Sequence, residues 1–207
     1  MRQQKEPATL SSLPAEIYVS LIPAAVACIL RPTNVIVWAT VSITLLCMNG
    51  KVIKILQLAQ TTIMCGIAVV AASVAMDRSF YGTWVFPPLR FVYFNVVQSL
   101  AVFYGKNRHD YYLTEGLPLL LTTALPFAAI AVFQALRAVL GSPNATAKGG
   151  EEIRFVLALS VLTSVAALTL ISHKEVRFIY PLLPMLHVLA AKPLATFFHP
   201  FPIPVKR

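Results

Sequence analysis

Charge is the scarcest property of this sequence. Only 12% of its 207 residues are Asp, Glu, Lys or Arg, where an ordinary soluble domain carries roughly 25%. Acidic residues are the fewest, 8 against 17 Lys and Arg. Cysteine is also rare: Cys28, Cys47 and Cys65 each fall inside an apolar run, without CxxC spacing or a neighbouring histidine. That pattern offers no metal motif and leaves the thiols as small packing residues. The net charge of +9 would suit nucleic acid if the basic side chains formed a stripe. They stand singly between apolar stretches, so nucleic acid is excluded as a partner.

What the chain has in excess is hydrophobicity, with 57% apolar residues and a mean hydropathy of +0.73. The apolar residues come in long runs, which suits contact with lipid better than one small core. The expected fold is all-α and polytopic: one transmembrane domain over residues 1–207 with about six spans, at 13–30, 33–48, 55–76, 116–140, 154–172 and 178–198. The third has no charge in 22 residues. At 1.5 Å per residue it reaches roughly 33 Å, enough for a hydrocarbon core of about 30 Å. Pro118, Pro126 and Pro184 free backbone carbonyls that neighbouring helices or water must satisfy. The sixth span, which also carries Pro181, His187, Lys192 and Pro193, is expected to be a broken helix. Met1 to Leu30 has some features of a signal peptide, with Arg2 and Lys5 before an apolar stretch and a small-residue Ala25-Val26-Ala27. The run continues through Cys28-Ile29-Leu30 into the polar Arg31-Pro32-Thr33, which favours a span.

Residues 77–115 form the one long hydrophilic stretch and are rich in Phe, Tyr and Trp, a composition suited to a membrane interface. Within them, Pro88 to Leu100 is predicted to lie as a helix along the membrane surface. Counting crossings, two spans separate Asp77 to Glu115 from His173 to Arg177, so both share one face, together with Arg31-Pro32-Thr33. The opposite face holds Lys51, Lys54 and the Gly141 to Ile153 loop. The glycosylation sequon Asn144-Ala145-Thr146 in that loop is expected to stay bare.

The densest chemistry is His173-Lys174-Glu175-Val176-Arg177, set between two apolar runs. A charge at mid-membrane costs about 2.5 to 3.5 kcal/mol on insertion scales, so this cluster belongs at a water boundary or in a wet cavity. It is either a loop of snorkelling side chains or an anion site, with Arg as a planar fork, Lys as a point charge and His as a proton carrier. Asp77-Arg78 reads as an interfacial stop to the third span, or Asp77 as a general base. His109, Asp110 and Glu115 read as solvated loop residues.

Taken together, Arg31-Pro32-Thr33, Asp77-Arg78-Ser79-Phe80-Tyr81-Gly82-Thr83-Trp84, Phe91 to Asn95, Phe103-Tyr104-Gly105, Tyr111-Tyr112, Gly116-Leu117-Pro118 and His173 to Phe178 resemble one family. It is that of the dolichyl-phosphate-mannose-dependent mannosyltransferases, glycosyltransferase family 22. The blocks keep their order over about residues 25 to 190, and the D-x-x-x-Y-G-x-W loop combined with the later H-K-E-x-R-F is more specific than either part. The resemblance implies a multi-pass enzyme of the endoplasmic-reticulum membrane, part of a type C glycosyltransferase scaffold with a lumenal site. Its branch nearest in motif moves mannose from dolichyl phosphate mannose to a GPI glycolipid precursor, adding the third mannose in α-1,2 linkage without cofactor or metal.

On the matching positions, His173, Lys174, Glu175 and Arg177, with Arg31, Tyr81 and Asn95, are expected to bind lipid phosphate or substrate. The family's catalytic acidic residues lie in an early lumenal loop with no counterpart here. The base is therefore expected outside this chain, Asp77 being the candidate within it, and the chain is expected to be a fragment inactive alone. Val176 stands where a second Glu is usual, and Arg108-His109-Asp110 where an aromatic is usual. Alternatives are a related lipid-linked-oligosaccharide mannosyltransferase, a transporter for an anionic lipid, whose internal repeat is not visible, and a non-catalytic membrane subunit.

Overall fold

A computed structural model of the chain describes residues 15–49, 52–98, 100–140 and 150–198. Among them there is no strand, and the elements are helices: α1 Ala15–Leu30, α2 Asn34–Asn49, α3 Val52–Tyr81, α4 Pro87–Val92, α5 Leu117–Leu121, α6 Leu125–Leu140, α7 Gly150–Thr169 and α8 Leu183–Phe198. Among the described residues, four helical stretches are long and apolar enough to cross a membrane: Leu56–Tyr81, Tyr112–Val139, Gly150–Thr169 and Val176–Phe198. They make this a multi-pass membrane protein. The apolar parts of α1 and α2, Val19–Leu30 and Asn34–Met48, are shorter. Asn144 lies outside the described residues.

The chain divides into two compact units, one within Met1–Pro32 and Met48–Pro88, the other within Thr33–Cys47 and Leu89–Arg207. In the first, α1 packs along α3. The apolar stretch of α3 buries none of its residues within the chain, as expected of a helix whose solvent is lipid. α3 does not stop at Asp77-Arg78. It runs on to Tyr81, and its stop is Gly82, whose φ of +70° is the left-handed conformation that glycine adopts without strain. There the Gly82 N–H returns to the Arg78 carbonyl at 3.0 Å. The Arg78 guanidinium bonds the Gly82 carbonyl and lies 5.4 Å from the Trp84 ring centroid. Arg78, Gly82 and Trp84 of the D-x-x-x-Y-G-x-W loop thus have a structural task, closing a helix.

In the second unit α6, α7 and α8 pack on one another. Ala128, Ala131 and Ala135 of α6 meet Ala158, Val161 and Val165 of α7 and Leu186, Leu189 and Ala190 of α8 in one buried cluster. Small side chains let helix backbones approach closely, and in lipid that van der Waals contact drives association where burial from water cannot. α2 joins α7 through a hydroxyl pair, Thr40 Oγ1 and Thr163 Oγ1 at 2.9 Å.

Prolines set the breaks. Pro126 has no N–H for the Thr122 carbonyl four residues back, and its ring crowds that carbonyl. The helix accordingly tightens over Thr122–Ala124, and Thr122 takes a φ of +46°, a costly conformation for a β-branched residue. The expected sixth span is broken as anticipated: Val176–Leu182, with Pro181 inside, winds as a tight 3-10 segment before α8 begins. Pro184 cannot reach the Tyr180 carbonyl, and the Leu183 N–H takes it instead. The fourth span starts earlier than residue 116, with a π-turn at Tyr112–Gly116. A side chain on the buried Gly116 would meet both Ile179 Cδ1 and Tyr112 Cδ1 at 3.2 Å, so glycine there brings this turn against the 3-10 segment. The surface helix expected over Pro88 to Leu100 is shorter, α4 followed by a π-turn over Tyr93–Val97. Phe91, Phe94 and Val97 are exposed.

Enlarging a fully buried small residue in α7 should loosen the α6–α8 packing. Ala158→Leu is expected to cost about 1–3 kcal/mol and lower the melting temperature in detergent. Ala166→Leu, on the exposed side of the same helix, should leave it unchanged. A fluorescence thermal-shift assay compares the two.

Candidate functional site

The turn between α7 and the 3-10 segment is where the charged residues gather. α7 ends by tightening, with Leu170 N–H to the Ala167 carbonyl and Ile171 N–H to the Leu168 carbonyl, both 3.2 Å. Glu175 is extended, with φ −133° and ψ 145°, and the Phe178 N–H then bonds the Glu175 carbonyl at 3.0 Å to start the next segment.

A second stretch, Gly105 to Asn107, is strapped to this turn. The Asn107 N–H donates to the Ser172 carbonyl at 3.1 Å. Asn107 Oδ1 accepts from the Lys174 N–H at 2.9 Å, and His173 Nδ1 meets the Gly105 carbonyl at 3.0 Å. Gly105 sits at φ +120°, which a residue with a Cβ rarely adopts. The strap satisfies backbone groups that a bare turn between two apolar segments would leave unpaired.

Within the turn Glu175 is the electrostatic centre. Its Oε1 accepts from Arg177 Nη2 at 2.9 Å and faces His173 Nε2 at 3.1 Å, and its Oε2 pairs with Arg177 Nε. Both ring nitrogens of His173 therefore face acceptors, and the ring serves both when it carries both protons. Burial alone would push the Glu175 carboxyl up, but hydrogen bonds from His173 and Arg177 and their positive charges hold it below the ordinary carboxylate value. Lys174 is the opposite case. It is 3% exposed, and its ammonium makes no hydrogen bond or ion pair among the described residues. Burial, then the charge of Lys106, pulls its pKa below the usual lysine value. The Tyr112 hydroxyl is buried beside the Glu175 backbone.

Of the eight residues singled out from the sequence, Asp77 among them, the structure thus gathers His173, Lys174, Glu175 and Arg177. Asn95 turns to its own backbone, donating to the Phe91 carbonyl at 2.7 Å. Arg31, Asp77 and Tyr81 belong to the first unit. Arg31 closes α1 with its N–H on the Ala27 carbonyl at 2.9 Å, Asp77 lies inside α3, and Tyr81 is exposed. His109 is exposed, and Asp110 pairs with Arg108 at 2.8 Å. The sequence reading missed Lys106 and Asn107. The one signal that could have found them was the glycine just before them, Gly105.

Residues 5–202 match the Alg9-like mannosyltransferase family. The chain belongs to that family. Curated relatives in this mannosyltransferase family include GPI mannosyltransferase 3 of Aspergillus fumigatus, 49% identical over 86% of this chain and 23% of the relative. GPI mannosyltransferase 3 of Gibberella zeae is 41% identical over 98% of this chain and 33% of its own length. GPI alpha-1,2-mannosyltransferase 3 of Mus musculus is 32% identical over 83% and 28%. The chain therefore spans about a quarter to a third of the length of these relatives. No solved structure matches it.

Because the folded-state pKa of Glu175 lies below its unfolded value, its ionised form stabilises the fold above the ordinary carboxylate pKa of 4.5, and the contribution disappears as pH falls through the lowered value. The side chains of Glu175 and Arg177 are 31% and 63% exposed, so solvent screens the pair to under about 1 kcal/mol. Glu175→Gln should lower the melting temperature at pH 7 by up to about 3 °C. The gap to the unsubstituted chain should persist at pH 5 and close only as pH falls below the ordinary carboxylate value of 4.5 and through the lowered one, as a pH series of thermal unfolding curves will show.

Proposed function

We propose that the chain supplies the donor-phosphate side of a membrane mannosyltransferase. In this reading the whole enzyme moves mannose from dolichyl phosphate mannose to a GPI precursor, adding the third mannose in α-1,2 linkage on the lumenal face of the endoplasmic reticulum. The observation that carries the reading is the clamped turn His173 to Arg177, an island of charge between two apolar helices. It stands in a chain whose relatives are named GPI mannosyltransferase 3.

The chemistry gives such an island a task. An acceptor hydroxyl oxygen bonds to C1 of mannose as the bond from C1 to the phosphate oxygen breaks. The electron pair leaves with the phosphate, whose charge goes from one negative to two, and the hydroxyl proton goes to a carboxylate. Cations placed where that charge develops lower the barrier. Lys174 suits this role through its uncompensated charge, and His173, Glu175 and Arg177 hold the turn around it. The base lies outside these residues, with Asp77 as the candidate inside the chain, and Arg31, Tyr81 and Asn95 contact lipid or substrate. The four long helices with α1 and α2 serve as six spans of a type C glycosyltransferase scaffold, with residues 77–115 and the 173–177 turn on its lumenal face.

A chimaera carrying residues 15–198 in place of the matching segment of the Aspergillus fumigatus relative tests this in yeast unable to add the third GPI mannose. Growth should be rescued, and Lys174→Ala in the chimaera should cut mannose transfer about 10²- to 10³-fold, the scale seen when one charge-stabilising group is removed. The 207-residue chain expressed alone should not rescue. A chimaera that inserts in the membrane but stays inert, or one indifferent to Lys174→Ala, contradicts the reading.

A further inference from the structure

The cations around the 173–177 turn are not equivalent. Arg177 gives Nε and Nη2 to Glu175. His173 is held between Glu175 and the Gly105 carbonyl, and Arg108 is paired with Asp110. Two lysines near the turn, Lys106 and Lys174, have no carboxylate beside them among the described residues. Lys174 is nine-tenths and more buried, at 3% exposure. Lys106 is exposed, and among the described residues neither ammonium has a hydrogen bond or a carboxylate partner. Lys106 sits between Gly105 and Asn107, the two residues that bond to the 172–174 turn, so the strap that fixes the Lys174 backbone also fixes that of Lys106. Their charges are close enough for Lys106 to disfavour the charged form of Lys174. Holding like charges on two strapped segments, one of them largely shielded from water, is unfavourable, and a bound anion relieves that cost.

We infer that Lys106 and Lys174 are the two halves of one anion site that takes a phosphate monoester dianion, and that Asn107 is the positioning residue that holds the halves at a fixed spacing. The inference rests on the donor-phosphate reading and adds the form of the ligand. Two uncompensated cations match the departing dianionic monoester better than the singly charged glycosyl diester. The site thus favours the charge that develops during transfer over the charge that is present at its start, which is the condition for accelerating the step rather than merely holding the donor. Inorganic phosphate offers the same oxygens without the lipid tail.

The 207-residue chain in phosphatidylcholine nanodiscs, titrated with dolichyl phosphate, dolichyl phosphate mannose, dolichol and inorganic phosphate, tests the assignment by microscale thermophoresis. Dolichyl phosphate should bind more tightly than its mannosyl diester, and dolichol should not bind. Inorganic phosphate should compete only at much higher concentration. Lys106→Gln, a surface change that leaves the fold intact, should weaken dolichyl phosphate about tenfold, the loss expected for one charge-assisted hydrogen bond. Arg108→Gln, which removes the same charge two residues away, should leave affinity within about twofold, as suits an exposed pair. Asn107→Ala should erase the preference for monoester over diester, whereas general unfolding would weaken both alike. Undiminished affinity in Lys106→Gln, or an equal loss in Arg108→Gln, overturns the lysine pair while leaving the donor-phosphate reading standing. Binding of inorganic phosphate as tight as that of the lipid assigns the site to free phosphate and overturns the lipid ligand. Failure of the unsubstituted chain to bind any phosphate overturns both readings.

Discussion

Three hydrogen bonds tie Gly105 to Asn107 onto Ser172 to Lys174, and the arrangement of charge at the candidate site depends on them. They join residues 65 to 68 positions apart in the chain. Two of the three use backbone carbonyls, and the third uses the side-chain oxygen of Asn107 on a backbone N–H. A turn between two apolar helices has few waters to satisfy its polar groups, so an internal partner is worth more there than on a soluble surface. Once the turn is held, Glu175 can pair at once with His173 and Arg177, and Lys174 is left buried without a counter-charge.

The helices around that turn obey a different constraint. Lipid does not reward burial of apolar side chains between helices, so close packing and hydrogen bonds must do so. Ala128, Ala131 and Ala135 on α6 and the Thr40 to Thr163 hydroxyl pair serve those two needs in the second unit. Proline supplies the opposite device. Pro126 and Pro184 withhold an N–H from Thr122 and Tyr180, and the chain responds with 3-10 turns at Thr122–Ala124 and Val176–Leu182. The second of these begins directly after Glu175, so the broken helix and the charged turn are one continuous feature.

The legible parts of the fold were those written in local composition. Apolar runs marked the long helices, and proline marked where the last would break. α3 runs past Asp77-Arg78, read as the interfacial stop of the third span, to the left-handed Gly82 five residues beyond Asp77, and that helix-closing glycine was not read from the sequence. The charged turn was visible as an island in hydrophobic sequence, and so were four of its residues. Its internal pairing was not, because nothing in the order His-Lys-Glu-Val-Arg says that Glu175 will engage His173 and Arg177 and leave Lys174 alone. Lys106 and Asn107 were invisible for a related reason: a bond from a side chain to a distant backbone amide leaves no periodic mark. Asn95 was visible as a polar residue in a recognisable motif, but the bond of its amide to the Phe91 carbonyl was not. Family membership, by contrast, was readable from the order of short blocks, and the match over residues 5–202 agrees with it.

The clamp itself is most directly tested by hydrogen exchange at the amide it protects. In nanodiscs, peptides covering Ser172 to Phe178 should exchange slowly at the Lys174 amide, and Asn107→Ala should speed exchange at that amide while leaving α7 unchanged. Fast exchange at Lys174 in the unsubstituted chain, or protection that survives the loss of Asn107, would contradict the account.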